Sequence, residues 1–257
     1  MIGRLYAAFG GILIALLALQ PASASQMLLL GVGSTGEAFP SGAVSCWNLD
    51  EASGTRNDSI GSYHLTDNNT VTQAVGKVGN AAQFTAANAE YLSIADNAAL
   101  STGDIDFTIA AWVYLDSVGA SRSVLGKWTA GALEYVLLAY DNGSAKPRFF
   151  VSNDGTAAAS VTADAFGTPS TGAWMFLVAW HDASANTINI QINNGTVDSV
   201  AHTTGVFDGT SAFEVGRNNG GSYHDGRIDA VGFWKRTLTA AERTYLYNSG
   251  NGRACGA

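Results

Sequence analysis

The sequence predicts an all-β protein, an antiparallel sandwich of two sheets with one short C-terminal helix. Three observations predict it. Short apolar segments recur from Ala43 onward, separated by Asn, Asp or Gly. Thirty glycines and a charged fraction of only 13% speak for many turns and against long solvated helices. A helix start signal stands out at one place, close to the C-terminus, and the chain has no internal repeat.

The elements follow in order. EYLSIAD (residues 90–96) is a short strand bounded by an acidic turn. DFTIAAWVYLD (106–116) is longer and almost uniformly apolar, which suits a central strand of a sandwich. RSVLGKW (122–128), EYVLLAYD (134–141) and KPRFFVSN (146–153) are strands separated by Gly-, Asn- and Asp-containing turns. WMFLVAWHD (174–182) is a second central strand. In NTINIQINNGT (186–196) Ile188, Ile190 and Ile192 alternate with polar residues and Asn194-Gly195 follows, a half-buried strand ending in a hairpin turn. AFEVGRN (212–218) and GRIDAVGFWK (226–235) are the last strands. Thr239 and Glu242 then form a capping box, which satisfies free N–H groups at a helix start, and Gly250 suits its C-terminal stop.

The 257 residues are 47% hydrophobic, enough to bury a sizeable core in one domain. A net charge of −8 repels phosphate backbones and anionic membranes, so nucleic acid is excluded as the expected partner. Residues 1–24 combine Arg4, an uncharged apolar run from Leu5 to Leu19, Pro21 and a small-x-small Ala22-Ser23-Ala24 site. This reads as a signal peptide, with an uncleaved anchor or buried helix as the alternative. It implies a secreted or extracytoplasmic domain with no stable membrane insertion after cleavage. Residues 25–42 read as a Gly-rich linker and residues 43–257 as the domain. The two cysteines, Cys46 and Cys255, are an even pair in an exported chain and are expected to bridge, which requires the first and last strands to be neighbours. Two unrelated thiols are the other reading.

Several segments in their order and spacing resemble the laminin G-like jelly roll of the concanavalin A-like lectin/glucanase superfamily. They are CWNLDEASGTRNDSIGSYHLT, GKVGNAAQFTAANAEYLSIAD, DFTIAAWVYLD with Trp112, TGAWMFLVAWHDASANTINIQINN with Trp174, and DGRIDAVGFWKRTLTAAE. The resemblance covers about residues 44–252. It implies a two-sheet jelly roll, a fold that hosts binding modules, adhesion domains and some glycosidases.

Catalysis is not expected. The glucanases of this superfamily place their carboxylates on one strand in a Glu-x-Asp-x-x-Glu pattern, and this is absent. Glu37, Glu51, Glu90, Glu134, Glu214 and Glu242 are scattered, and no HExxH, Gly-x-Ser-x-Gly or P-loop occurs. An atypical glycosidase is the least favoured reading. Some relatives carry a structural calcium at the sandwich edge. The candidate oxygen ligands are Asp50, Asp58, Asp225 and Asp229, which could converge if the first and last strands pair, although such loops also form ordinary turns. Asp229 shares alternation with Val231 and Phe233 and is expected to point inward, held by backbone N–H groups, Arg227, Arg236 or an ion. For ligand contact the candidates are Trp128, Asn218, Asn219, Tyr223 and His224. They lie at turns or in the Gly- and Asn-rich loop 216–226. Tyr140 and Trp234 are further surface candidates, whereas Trp47, Trp112 and Trp174 are expected in the core. The sequence thus points to a non-catalytic module that binds a glycan or another cell-surface or matrix component. The alternative is a structural or protein-interaction subunit of an envelope, matrix or virion appendage.

Overall fold

The computed structural model describes residues 38–218 and 221–257. The predicted signal peptide (1–24), linker residues 25–37 and Asn219 lie outside the described residues. The remaining linker residues are not detached. Phe39 packs on Trp234 at 5.9 Å, and the Trp234 indole N–H donates to the Pro40 carbonyl at 3.1 Å.

The strands are β1 (Ala43–Trp47), β2 (Thr66–Asn68), β3 (Thr72–Val75), β4 (Asn80–Phe84), β5 (Tyr91–Ile94), β6 (Phe107–Leu115), β7 (Arg122–Thr129) and β8 (Ala132–Asp141). They continue with β9 (Lys146–Val151), β10 (Ala159–Thr162), β11 (Trp174–Asp182), β12 (Thr187–Ile192), β13 (Val197–Ala201), β14 (Phe213–Val215) and β15 (Gly226–Trp234). Among the described residues one α-helix, α1 (Ala240–Tyr247), follows. The first sheet runs β13-β12-β11-β6-β15-β4-β3, with β1 also paired to β15. The second runs β10-β9-β8-β7-β14-β5-β2. All pairings are antiparallel. The predicted jelly-roll sandwich is therefore the fold.

Alternation within the strands builds two apolar layers. Phe107, Ile109, Ala111, Val113 and Leu115 of β6 meet Tyr135, Leu137 and Phe149 of the second sheet between the sheets. Trp47 lies there as expected, stacked on Phe213 at 5.3 Å. The intervening residues Ala110 and Trp112 face the other way. With Phe176, Trp180 and Trp234 they form a second apolar layer that includes Tyr245 and Leu246 of α1. Trp112 is thus buried beneath the C-terminal helix and not between the sheets. Trp234 is 1% exposed and Tyr140 8%, which corrects both as surface candidates. Trp234 does face away from the main core, but Phe39 and the helix layer cover that face.

The helix starts as its sequence requires. The Thr239 hydroxyl accepts the Glu242 amide at 3.2 Å, and the Glu242 carboxylate accepts the Thr239 amide at 2.8 Å. Arg236 also pairs with Glu242 at 2.6 Å. The Arg236 hydrogen bond outweighs the effect of burial, and with the Thr239 bonds it holds the Glu242 carboxyl at about 2. β1 lies against β15 and the C-terminal tail returns beside it, so Cys46 and Cys255 are joined in a disulfide with Cα atoms 5.6 Å apart.

Candidate functional site

The four predicted calcium ligands do not converge. Asp58 folds its own loop. It accepts hydrogen bonds from Ser45 Oγ at 2.8 Å and from the amides of Cys46, Ile60 and Tyr63 at 3.0, 3.0 and 3.2 Å. Burial would raise its pKa, but these bonds prevail and lower it. Asp225, at the entry to β15, accepts from Ser117 Oγ and from the Ala86 amide, and lies 3.8 Å from Arg122. Burial is again opposed, and its pKa is lowered. Among the described residues, no group of three or more His, Cys, Asp or Glu side chains could hold a metal ion.

Asp50 and Asp229 do meet, at the β3–β4 turn. The Asn80 amide donates to Asp50 Oδ1 at 2.6 Å. The Lys77 and Val78 amides donate to Asp229 Oδ2 at 2.6 and 2.8 Å. Asp229 is fully buried as expected, and its Oδ1 has no hydrogen-bond partner. Burial drives its pKa up to about 7 against the two amide bonds, and the neighbouring Asp50 charge adds to the rise. Its direction corrects the alternation argument. A β-bulge between Asp229 and Gly232 puts Ala230 at φ 47°, so Ile228 and Val231 both reach the main core. Asp229 instead lies opposite Trp112, away from Val231 and Phe233.

The ligand-contact candidates divide. His224 is 0% exposed, edge-on to Phe84 at 6.0 Å and 3.2 Å from the Tyr114 carbonyl, so it packs the sandwich end and offers nothing to a ligand. Burial lowers its pKa to about 4. Asn218 is also buried, its side-chain oxygen accepting the Ser222 amide at 3.4 Å. Trp128 and Tyr223 are half-buried, and both lead to one surface, the outer face of the second sheet.

That face can be built strand by strand. Phe213 and Val215 enter the main core, so Glu214 between them points outward. The same logic turns Tyr91 of β5, Val136 of β8, and Arg148 and Phe150 of β9 outward, because Leu92, Tyr135, Leu137, Phe149 and Val151 are core residues. Glu214 is registered with Gly126, Gly126 with Val136, and Val136 with Phe150. Gly126 must be glycine: a Cβ there would stand 2.5 Å from the Tyr135 carbonyl oxygen and 2.8 Å from Val136 Cα. The β8 backbone closes in where a side chain would stand, so β7 and β8 pack tightly and Gly126 and Val136 are buried in the middle of the face.

Two aromatic–arginine clusters flank this tightly packed strip. On one side the Arg217 guanidinium stacks on Tyr91 at 3.5 Å, stands 5.9 Å from the Tyr223 ring and is paired with Glu214. Burial alone would lower the Arg217 pKa, but hydrogen bonds to Glu214 and Tyr223 raise it. On the other side Arg148 lies 4.6 Å over Phe150, whose ring is 6.1 Å from Trp128. Ser160 Oγ and Asp141 hold Arg148 at 2.7 and 3.1 Å. The flanks, from Glu214 to Phe150, are three strands apart, roughly 14 Å. Sequence reasoning found Trp128 and Tyr223 but missed Tyr91, Arg148, Phe150 and Arg217. The alternation in KPRFFVSN carries the signal for Arg148 and Phe150, since it places both opposite the core pair Phe149 and Val151.

With this geometry in hand, comparison with known proteins places the chain. A laminin G family model, described as the concanavalin A-like lectin/glucanases superfamily, matches residues 86–242. No curated protein matches the sequence. Among solved structures, the binding domain of Paraclostridial Mosquitocidal Protein 1 superposes with a TM-score of 0.66 at 12% identity, covering 81% of this chain and 52% of that one. The binding domain of botulinum neurotoxin serotype G gives 0.62 at 14%, covering 80% and 50%. The chain thus spans about half the length of these toxin domains. Domain 4 of AbnA, a GH43 extracellular arabinanase from Geobacillus stearothermophilus solved with arabinotriose, gives 0.56 at 17%, covering 82% of this chain and 98% of that one. These likenesses show the same jelly-roll fold. With the family model spanning more than half of its length, the chain belongs to the laminin G-like branch of the concanavalin A-like lectin/glucanases superfamily.

Proposed function

We propose that this domain is a non-catalytic, extracellular carbohydrate-binding module that receives an oligosaccharide along the outer face of its second sheet. The observation that carries the reading is the pair of aromatic–arginine clusters, Tyr91–Arg217–Tyr223 and Trp128–Phe150–Arg148, on one face of the sheet. The half-buried aromatic rings offer stacking surfaces to the C–H faces of sugars, and the arginines offer hydrogen bonds to hydroxyls, with Glu214 holding Arg217 in place. The arabinanase domain solved with arabinotriose, and a botulinum neurotoxin type C domain described as dependent on two ganglioside molecules for cell entry, support a glycan as the ligand class. Export is supported by the disulfide, and no helix among the described residues is long and apolar enough to cross a membrane. The buried carboxylates Glu134 and Asp229 support a role without catalysis, because neither is exposed to a substrate.

The test is isothermal titration against a polysaccharide and oligosaccharide panel with wild type, Trp128→Ala, Phe150→Ala and Tyr223→Ala. At least one glycan should bind, and Phe150→Ala should weaken it about tenfold or more, the equivalent of one lost stacking contact. Binding unchanged in all three variants would remove this face, and a panel without any binder would favour a protein-interaction role.

A calcium ion on Asp50 and Asp229 belongs to the same proposal. The unpartnered Asp229 Oδ1 is the atom a cation would take, and Asp50 supplies the second carboxylate. Millimolar calcium should raise the melting temperature over EDTA in wild type and leave Asp229→Asn unchanged. Equal melting of wild type in both solutions would end the calcium reading.

A further inference from the structure

The loops at the end of the first sheet line an open pocket of about 280 Å³, separate from the outer face of the second sheet. It lies between the β10–β11 loop and the turn after β12, and Phe166, Thr168, Ser170, Trp174, Met175 and Asn193 are among its lining residues. We infer that this pocket is a second carbohydrate subsite, one that takes a single uncharged sugar ring. The inference rests on the reading of the domain as a carbohydrate-binding module, and it adds a site on the other sheet.

The size comes close to the lower end of small-ligand pockets, about 300 Å³, so it suits one ring and little more. None of the side chains lining it is charged, which sets it apart from the arginine-bearing outer face of the second sheet and favours an uncharged sugar. Phe166 is 38% exposed on the loop, so its ring presents an apolar face to the pocket mouth. Trp174 is half-buried. Tyr114 packs against it edge-on at 5.5 Å, and Arg227 lies 4.3 Å over Tyr114 in turn. The indole is therefore braced from behind.

Polar groups stand beside the rings. Asn193 is pinned by Phe176: its backbone amide donates to the Phe176 carbonyl at 2.8 Å, and its side-chain oxygen accepts the Phe176 amide at 2.8 Å. The Asn193 Nδ2 is then the donor group this amide has left to offer. Thr168 and Ser170 add hydroxyls that can both donate and accept. The loop itself is tied down. Ala165 donates to the Asp198 carboxylate at 3.0 Å, Gly167 to the Ala163 carbonyl at 3.0 Å, and Gly172 to the Leu115 carbonyl at 3.0 Å. A pocket held this way is formed before its ligand arrives, which lowers the cost of binding. A sugar ring has an apolar C–H face and a hydroxyl edge, and it matches both halves of this lining. An aliphatic chain would match only the rings.

The test is a ¹H–¹⁵N NMR titration of the domain with methyl glycosides of glucose, galactose, mannose and arabinose, and with arabinotriose, each to about 50 mM, where millimolar affinities are visible. At least one probe should shift the Trp174 indole N–H and the Asn193 side-chain amide. Phe166→Ala should weaken that binding at least about tenfold. Ala173→Arg, which places a long charged side chain at this exposed lining position, should abolish it, while Phe150→Ala should leave it intact. Shifts at Trp174 and Asn193 that persist in both Phe166→Ala and Ala173→Arg would overturn the inference, as would no shift there with any probe. Binding that depends on Phe150 alone would likewise overturn this subsite while leaving the outer-face module standing. Binding that depends on Phe166 alone would support the subsite and remove the outer-face site.

Discussion

His224 illustrates how a single residue can be misread from its neighbours in sequence. Set in a Gly- and Asn-rich loop it looks like a ligand contact, yet the loop folds it inward against Phe84. The burial has a measurable consequence. Its pKa is lowered from about 6.5 to about 4, so the folded state binds fewer protons than the unfolded chain across that interval. The His224 contribution to stability is fully present above pH 6.5 and is lost progressively as pH falls towards 4. It is on the order of 3 kcal/mol when summed over the shift. Asp229, raised to about 7, titrates across the same interval with the opposite sign, so the loss is read as the difference between wild type and His224→Gln in urea unfolding at pH 7 and pH 5. An identical pH dependence in both proteins would refute the assignment. Gly126 is the second instructive residue. A glycine in a strand is ordinarily a weak point, but here the Tyr135 carbonyl leaves no room for a Cβ. Gly126→Val should cost roughly 1–3 kcal/mol in chemical denaturation, because the added atoms meet the β8 backbone, and an unchanged stability would refute this close approach.

At the scale of elements, local chemistry was legible wherever it acts within a few residues. The Thr239–Glu242 box starts α1 in the way its spacing requires. Thr239→Ala should therefore cost about 1 kcal/mol, seen as a melting temperature lower by about 2–4 °C. An unchanged melting temperature would show that the cap is redundant with the Arg236–Glu242 pair. The long apolar strands β6, β8 and β11 were equally plain. The short ones β2, β3, β10 and β13 were not. TDN, TQAV, ASVT and VDSVA carry little alternation, and each pairs through its backbone at the margin of a sheet. Backbone hydrogen bonds are indifferent to sequence, so such strands leave only a faint trace in it. The bulge in β15 is the opposite case. Alternation was read correctly as a rule, but one left-handed residue, Ala230, moved Asp229 to the other face.

For the whole molecule, the Cys46–Cys255 bridge closes the chain across a separation of 209 residues. In the chain-entropy account such a loop contributes about 5 kcal/mol, and native bridges of this kind commonly deliver 2–5. Reduction should lower the melting temperature markedly without changing the far-ultraviolet spectrum at 25 °C, and intact mass before and after reduction should differ by two hydrogens. Free thiols in the native protein would contradict the bridge. The sequence by itself determined the sandwich class, the central strands and the capped helix, because periodicity and capping act locally; it left the two cysteines between a bridge and separate thiols, and the β1–β15 pairing brings them together. It also marked Trp128 and Tyr223. Only the tertiary structure decided that His224 is buried, that Asp58 is engaged by β1 and its own loop and Asp225 by Ser117, Ala86 and Arg122 while Asp50 and Asp229 share a turn, and that Arg148, Phe150, Tyr91 and Arg217 share one face. Those groups come from strands far apart in the chain, and it is the order of strands in the sheets that makes them neighbours.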